Sequence, residues 1–336
     1  MRPLSRSKAT DQTTRARLYD ADGQDREVDP KPGLTGTLKE HQLLWIDLAG
    51  RGDADLETVA GAVGIDSTLR RRLAADIGHA DLTQYQDHIH LVIESMDQPA
   101  ESYAAPVTPE PQEIHLVAGR NWVLTVHAGP VAALERIDKL TQGETRYGAL
   151  DAGGFMAAIV DEVLSGYLAL AEAIEQEIDR LDERALRTRP RDDVLARIVA
   201  IRRQIGSIRR TLTPHRVAFA ALARPEMELH DELGQPWPGL TERLDRAIES
   251  IEGLRDLLLG TYDIHMGRAA QEANEIMKRL TLLSAVLLPA VVLAGIMGMN
   301  FSLEFFKDSG NFQLVVGAMI VFGVTLLGAA RWRGWL

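Results

Sequence analysis

Asn274, Met277, Thr281, Ser284, Leu288, Val291, Gly295 and Gly298 follow one another in steps of three and four. That spacing stacks side chains along one face of an α-helix. The face carries an amide, two hydroxyls and two glycines, and no charge. Amides, hydroxyls and backbone carbonyls bond the waters of a hydrated cation without stripping them. Mg²⁺, which dehydrates reluctantly, suits such outer-sphere recognition. Met277, Leu280, Leu288 and Val291 are of the type that closes a water path by dewetting. Taken singly they are ordinary packing residues, and Asn274 is equally a helix-packing amide; the shared stripe is what raises them. Beyond Gly298 stand Met299 and Asn300, then Glu304, Lys307 and Asp308. Asn300 beside Gly298 also suits a helix C-terminal cap.

Other residues offer weaker chemistry. His88 and His90 alternate on one β-prone run, and His115 and His127 fall on the two that follow. Neutral imidazoles suit zinc, yet histidines so placed are more often cross-strand packing. Glu249, Glu252, Asp256 and Asp263 read by default as solvated helix surface; with acids of a neighbouring copy they would make regulatory cation sites. The chain has no cysteine, which excludes disulfides, thiolate metal sites and cysteine nucleophiles. It has no phosphate-binding loop, nucleophile elbow or zinc-protease helix, so no enzyme and no cofactor is expected. A net charge of -11 argues against nucleic acid as a partner.

The elements that position these residues follow from where charge is missing. Of 336 residues, Thr281 to Leu303 and Ser309 to Ala330 hold none that is charged. A bilayer core takes about 20 apolar residues as helix, so each stretch spans once. Glu304 to Asp308 is too short a link for anything but a hairpin of two antiparallel helices. Arg268, Lys278 and Arg279 precede the first span, and Arg331 and Arg333 follow the second. Basic flanks stay in the cytoplasm, which places both termini inside and the loop outside, with Trp332 and Trp335 at the inner interface. The opening seventeen residues, MRPLSRSKATDQTTRAR, read as a disordered polar tail rather than a signal or transit peptide.

Upstream, Leu43–Leu48, His88–Ile93, Glu113–Val117 and Trp122–Val126 read as strands, with a helical stretch from Leu56 to Leu73. Pro99, Pro106, Pro109 and Pro111 mark a loop. After Gly154 long helices take over. One runs from Phe155 to Arg187, with Val160, Val163, Tyr167, Leu170, Ile174, Ile178 and Leu181 on one stripe, and Pro190 ends it. The next places Val194, Ile198, Ile201, Ile205, Ile208 and Leu212 in a coiled-coil-like seam. Pro225, Gly234, Pro236 and Pro238 form a linker. A third helix, with Leu244, Ile248, Ile251, Leu254 and Leu258 on one face, meets no strong breaker from Leu240 to Met297 and would reach roughly 87 Å. The expected organisation is an α/β cytoplasmic domain (1–150), a long-helix coiled stalk (151–280) and a two-helix transmembrane pore domain with a short external loop (281–336).

Asn274-Glu275-Ile276-Met277-Lys278-Arg279-Leu280-Thr281, then Pro289, then Gly298-Met299-Asn300-Phe301 resembles the CorA family of divalent-cation transporters. Trp45–Leu48 and Thr83–Met96 resemble that family's N-terminal domain. The resemblance implies a funnel-shaped homopentamer around one axial pore, in the bacterial inner membrane. It also implies a selectivity filter of Gly298, Met299 and Asn300 at the outer end of the first span. Asn274, Met277, Leu280, Thr281, Ser284, Leu288, Val291 and Gly295 would line or gate the pore, Glu304 and Asp308 would attract cations, and cytoplasmic cations would regulate it. Mg²⁺ or Co²⁺ is the favoured cargo. Three departures leave Zn²⁺ open: Met297 where the family usually has Tyr, no Met-Pro-Glu run in the loop, and Val291 where some members have a polar residue. A membrane-anchored signalling or interaction protein is the alternative from another class.

Overall fold

The computed structural model describes residues 14–96, 110–141, 151–187, 192–223, 237–299 and 309–334. Strands β1 (Thr14–Asp20), β2 (Arg26–Glu27) and β3 (Gln42–Ala49) are followed by helices α1 (Asp53–Val63) and α2 (Ser67–Ala74). Strands β4 (Asp81–Gln84), β5 (Ile89–Ser95), β6 (Gln112–Ala118) and β7 (Trp122–His127) then lead to α3 (Ala132–Thr141). The described strands make one seven-stranded sheet in the order β2-β1-β3-β7-β6-β5-β4, with β3 and β7 its parallel pair.

Alternation of side chains sends the two faces of this sheet to different partners. Leu44, Ile46 and Leu48 of β3 join Leu124 and Val126 of β7 in a core closed by Leu56, Val59, Leu69 and Leu73 of α1 and α2. On the opposite face Phe155, fully buried, packs between the rings of Tyr19 and Trp45 at 5.7 and 5.4 Å. Two sequence expectations change here. Thr14–Arg17 are not the end of a polar tail but the first half of β1: Ala16 and Leu18 turn into the core, while Arg17 reaches Asp138 of α3 at 2.7 Å. The stretch Leu56–Leu73 is two helices, because Gly64 takes a left-handed φ of 79° at the end of α1. Asp66 then caps α2, accepting from the amides of Thr68 and Leu69 at 3.0 and 2.8 Å.

Helices α4 (Ala152–Arg187), α5 (Asp192–Leu212), α6 (His215–Leu222), α7 (Trp237–Met297) and α8 (Ser309–Trp332) complete the described elements. The stripe of α4 and the seam of α5 are buried as their periodicity requires, and Glu177 of α4 holds Arg197 of α5. Pro238 lies not in a linker but in the first turn of α7, where its missing N–H costs nothing. The other three residues of that linker, Pro190 and three of the loop prolines (Pro99, Pro106, Pro109) fall outside the described residues. By internal contacts the chain forms two compact units, Met1–Arg180 with Leu195–Gly260, and Leu181–Val194 with Thr261–Leu336.

Three described helices are long and apolar enough to cross a membrane: α4, α7 and α8. More than half of the apolar window of α4 is buried within the chain, whereas almost none of the windows of α7 and α8 is. The last two are the spans, since apolar surface that the protein leaves uncovered needs another apolar medium.

Candidate functional site

Helix α7 continues without interruption through Pro289 to Met297. Proline removes one intrahelical bond, a loss that membrane-spanning helices accommodate. Leu282 is buried, Val286 and Leu293 are half-buried, and a Cβ placed on Gly323 of α8 would stand 3.7 Å from a Val286 methyl. These positions mark the face of α7 that α8 covers. The stripe from Asn274 to Gly298 lies on the other side of the helix. Asn274, Met277, Leu280, Thr281, Ser284, Leu288, Val291 and Gly295 are all exposed in the single chain, Met277, Leu288 and Val291 by 65, 67 and 66%. The fold therefore brings the stripe together as one continuous uncharged face and leaves it uncovered.

At one end of this face Asn274, Met277 and Thr281 share a groove of about 390 Å³ with Gln271, Glu275 and Lys278. The Thr281 hydroxyl donates to the carbonyl of Met277 at 2.8 Å, which leaves its oxygen free to accept. That polarity fits a hydrated cation, whose bound waters present hydrogens outward. At the other end the Gly298 amide folds back on the carbonyl of Ala294 at 2.9 Å and the Met299 amide on that of Ile296 at 3.2 Å. A helix ends there, with the negative pole of its dipole toward whatever follows. Gly298 and Met299 are exposed; Asn300, Glu304 and Asp308 lie outside the described residues.

Glu249, Glu252, Asp256 and Asp263 are exposed along α7. Among the described residues no group of three or more His, Asp or Glu side chains could hold a metal ion within one chain. The strand histidines are packing groups. His90 and His115 stack at 5.1 Å with an interplanar angle of 5°, and share a hydrogen bond of 2.9 Å between Nε2 and Nδ1. Burial lowers their pKa values to about 3 and about 4, so both are neutral. Burial opposes charge on His127 too, but the Asp47 carboxylate at 3.2 Å and the Gly129 carbonyl at 2.5 Å outweigh it and raise its pKa. Sequence reasoning missed His215. It is wholly buried, accepts the Glu94 amide at Nε2 (3.0 Å) and donates from Nδ1 to the carbonyls of Thr211 and Leu212. Its sole signal in sequence was a histidine just after Pro214, four residues before Phe219.

The family profile described as CorA-like Mg²⁺ transporter protein matches residues 40–328. The chain belongs to this family. It is a transporter-family protein, not an enzyme. It is 23% identical to the cobalt/magnesium transport protein CorA of Methanocaldococcus jannaschii, over 89% of this chain and 93% of that one. Against the cobalt/magnesium transport protein CorA of Thermotoga maritima it is 26% identical, over 53% of this chain and about half (51%) of that one. The complete structure of the M. jannaschii CorA magnesium transporter superposes with a TM-score of 0.77 at 20% identity, covering 96% of this chain and 98% of that one. The cytoplasmic domain of ZntB from Vibrio parahaemolyticus superposes with a TM-score of 0.59 at 13% identity, covering 77% of this chain and 100% of that one. Likeness at these identities is likeness of fold.

Proposed function

We propose that this CorA-family protein carries divalent metal cations across a membrane, Mg²⁺ or Co²⁺ foremost, through a homopentameric pore whose wall is the exposed stripe of α7. The observation that carries this reading is the position of that stripe. It is uncharged, rich in acceptors, and on the side of an unburied span that α8 does not cover. Two spans per chain cannot enclose a channel, so several copies must meet on the stripe. Gly298, Met299 and Asn300 form the external filter, Met277, Leu280, Leu288 and Val291 the constrictions, and Glu304 and Asp308 draw cations to the mouth. Both termini are cytoplasmic, in the inner membrane of a bacterium, and cytoplasmic cations acting on Glu249, Glu252, Asp256 or Asp263 regulate opening.

Zinc is the second reading, favoured by Met297 and by the loop SLEFFKDSGNF. Purified protein in liposomes, assayed for Mg²⁺, Co²⁺ and Zn²⁺ entry, tests both. Wild type is expected to pass Mg²⁺ and Co²⁺. Asn300→Ala, which deletes an amide but little packing, is expected to abolish entry while assembly persists. Zinc entry alone would move the protein to the second reading. No entry of any ion would return the hairpin to a membrane anchor for an interaction protein. Full flux through assembled Asn300→Ala would remove the filter assignment.

A further inference from the structure

Helix α8 and the end of α7 it packs on belong to one compact unit. Val315, Met319, Gly323, Leu326 and Ala330 of α8, in steps of four, four, three and four, are buried or half-buried. Gly323 stands level with Val286 of α7, whose methyl a Cβ there would meet at 3.7 Å. Val286 lies eleven residues before the end of α7, and Gly323 fourteen after the start of α8. That is the pairing of an antiparallel hairpin, in which seven residues onward in α8 are seven back in α7. Buried Ala330 therefore comes level with Arg279. Arg279 and Lys278 stand three and four residues before buried Leu282, so they continue the covered side of α7 beyond its apolar run. Arg331 and Arg333 follow Ala330 directly. All four cations are exposed, and among the described residues none of them makes an ion pair. Glu275 is the nearest acid in the sequence of α7. Four cations against one carboxylate gather here in a chain whose net charge is -11.

Two basic pairs on neighbouring helices at one level repel each other, and the fold holds them together there without a counter-charge. Trp332, 87% exposed, sits at the same level and two residues beyond Ala330, so it points away from α7. An exposed indole at the end of a span marks the depth of the lipid headgroups. At that depth the available counter-charge is phosphate. The guanidinium fork matches phosphate oxygens in a bidentate way, and lysine adds a point charge. Basic pockets between spans are seats for anionic headgroups. Lys278 and Arg279 are about 100° and 200° around α7 from Met277, hence on the flank and back of the uncharged stripe rather than within it. Basic flanks that serve only to orient a span need charge alone; these bring their charge level on two helices at a single contact.

We propose that Lys278 and Arg279 of α7, with Arg331 and Arg333 of α8, bind the phosphate headgroup of an anionic phospholipid in the leaflet at this end of the spans. The lipid is the shared counter-ion that ties the two helices together. On the orientation proposed above this leaflet is the cytoplasmic one. The site itself requires only that α7 and α8 span the bilayer, not that they form a pore.

The test uses the full-length protein in phosphatidylcholine vesicles doped with spin-labelled phosphatidylglycerol or spin-labelled phosphatidylcholine. The motionally restricted fraction of each probe gives their relative association with the protein. Phosphatidylglycerol is expected to be preferred by about fivefold, the scale of two exposed ion pairs. A headgroup shared by both helices needs both pairs, so K278Q/R279Q and R331Q/R333Q should each remove most of the preference, and the fourfold variant little more. A preference that falls in even steps with each pair removed would show diffuse attraction to positive charge, and would overturn the shared site. So would a preference that survives in the fourfold variant. No preference in the wild type, the result if carboxylates of a neighbouring copy hold these cations, overturns it as well. Loss of the preference to inorganic phosphate, but not to chloride of equal ionic strength, would assign the cations to free phosphate instead of lipid. Ion entry is measured separately on the same preparation. Protein that prefers phosphatidylglycerol yet passes no ion overturns the pore reading and leaves this site standing.

Discussion

His215 shows what a single side chain can hold in this fold. Strand β4 ends its pairing at Asp81, opposite Val92, so the Glu94 amide has no strand to donate to on that side. His215 of α6 takes it, and the Tyr167 hydroxyl of α4 donates to the Glu94 carbonyl at 2.8 Å. The imidazole must stay neutral to accept, and burial lowers its pKa from the ordinary 6.5 to about 4. His90 and His115, hydrogen-bonded and titrating as a pair, are lowered likewise. In the unfolded chain all three take up protons below about pH 6.5, so their stabilisation is complete above that value and lost as the pH falls toward about 4. At pH 5 each costs on the order of 2 kcal/mol. His127 runs the other way, its raised pKa adding stability below pH 6.5 that fades as the pH rises through its folded value. The urea midpoint, followed by tryptophan fluorescence of the full-length protein, is therefore expected to drop between pH 7 and pH 5. His215→Gln, which keeps an acceptor but does not titrate, should shrink that drop by on the order of 2 kcal/mol. A pH-independent midpoint would contradict the assignment. These roles were not legible in sequence, because a histidine's tautomer and charge follow from partners that the fold, not its neighbours in the chain, supplies.

Among the elements, those legible in sequence share one property: many turns of a single period. The stripes of α4, α5 and α7 each repeat over four or more turns, and every residue predicted to be inside is buried. Shorter elements were read poorly. Strand β1 turns only Ala16 and Leu18 into its core amid charges, and the break between α1 and α2 rests on one left-handed glycine. The uncharged stripe of α7 was legible as a face, but its exposure, and the covering of the opposite face by α8, were not, since nothing in either span's sequence says which sides meet. Gly323 tests that contact. Its missing Cβ would stand 3.7 Å from Val286, an ordinary contact distance, so Gly323→Ala should assemble normally. Gly323→Leu would push a branched side chain into the α7 surface. Overpacking of this kind costs about 1–3 kcal/mol, and without a hydrophobic drive between helices in lipid little offsets it. Size-exclusion profiles in detergent should show a reduced oligomer for Leu and not for Ala. Equal profiles for both would place the α7–α8 contact elsewhere.

For the whole molecule the decisive quantity is the charge that the proposed assembly would gather around its axis. Each chain brings a net -11, and the exposed acids of α7 recur along one helix face, so copies arranged around a pore repel one another through like carboxylates. Of these acids (Glu249, Glu252, Asp256 and Asp263), Asp263 is closest in sequence to the stripe. On the proposed reading, a divalent cation bridging carboxylates of adjacent chains would relieve that repulsion, and its removal would restore it. Because α7 is one helix from Trp237 to Met297, a displacement at Asp263 would be carried along a continuous backbone to Met277 and Leu280, about four to five turns farther on. The expectation is that chelating divalent ions on the cytoplasmic side lengthens the distances between spin labels placed at Arg255 in neighbouring copies, and raises the rate of ion entry into liposomes. Asp263→Asn should show the label distances of the chelated wild type even with Mg²⁺ present, since one carboxylate per chain no longer recruits the ion. If label distances and transport rate are both unchanged by the chelator, the cargo does not close its own gate in this protein.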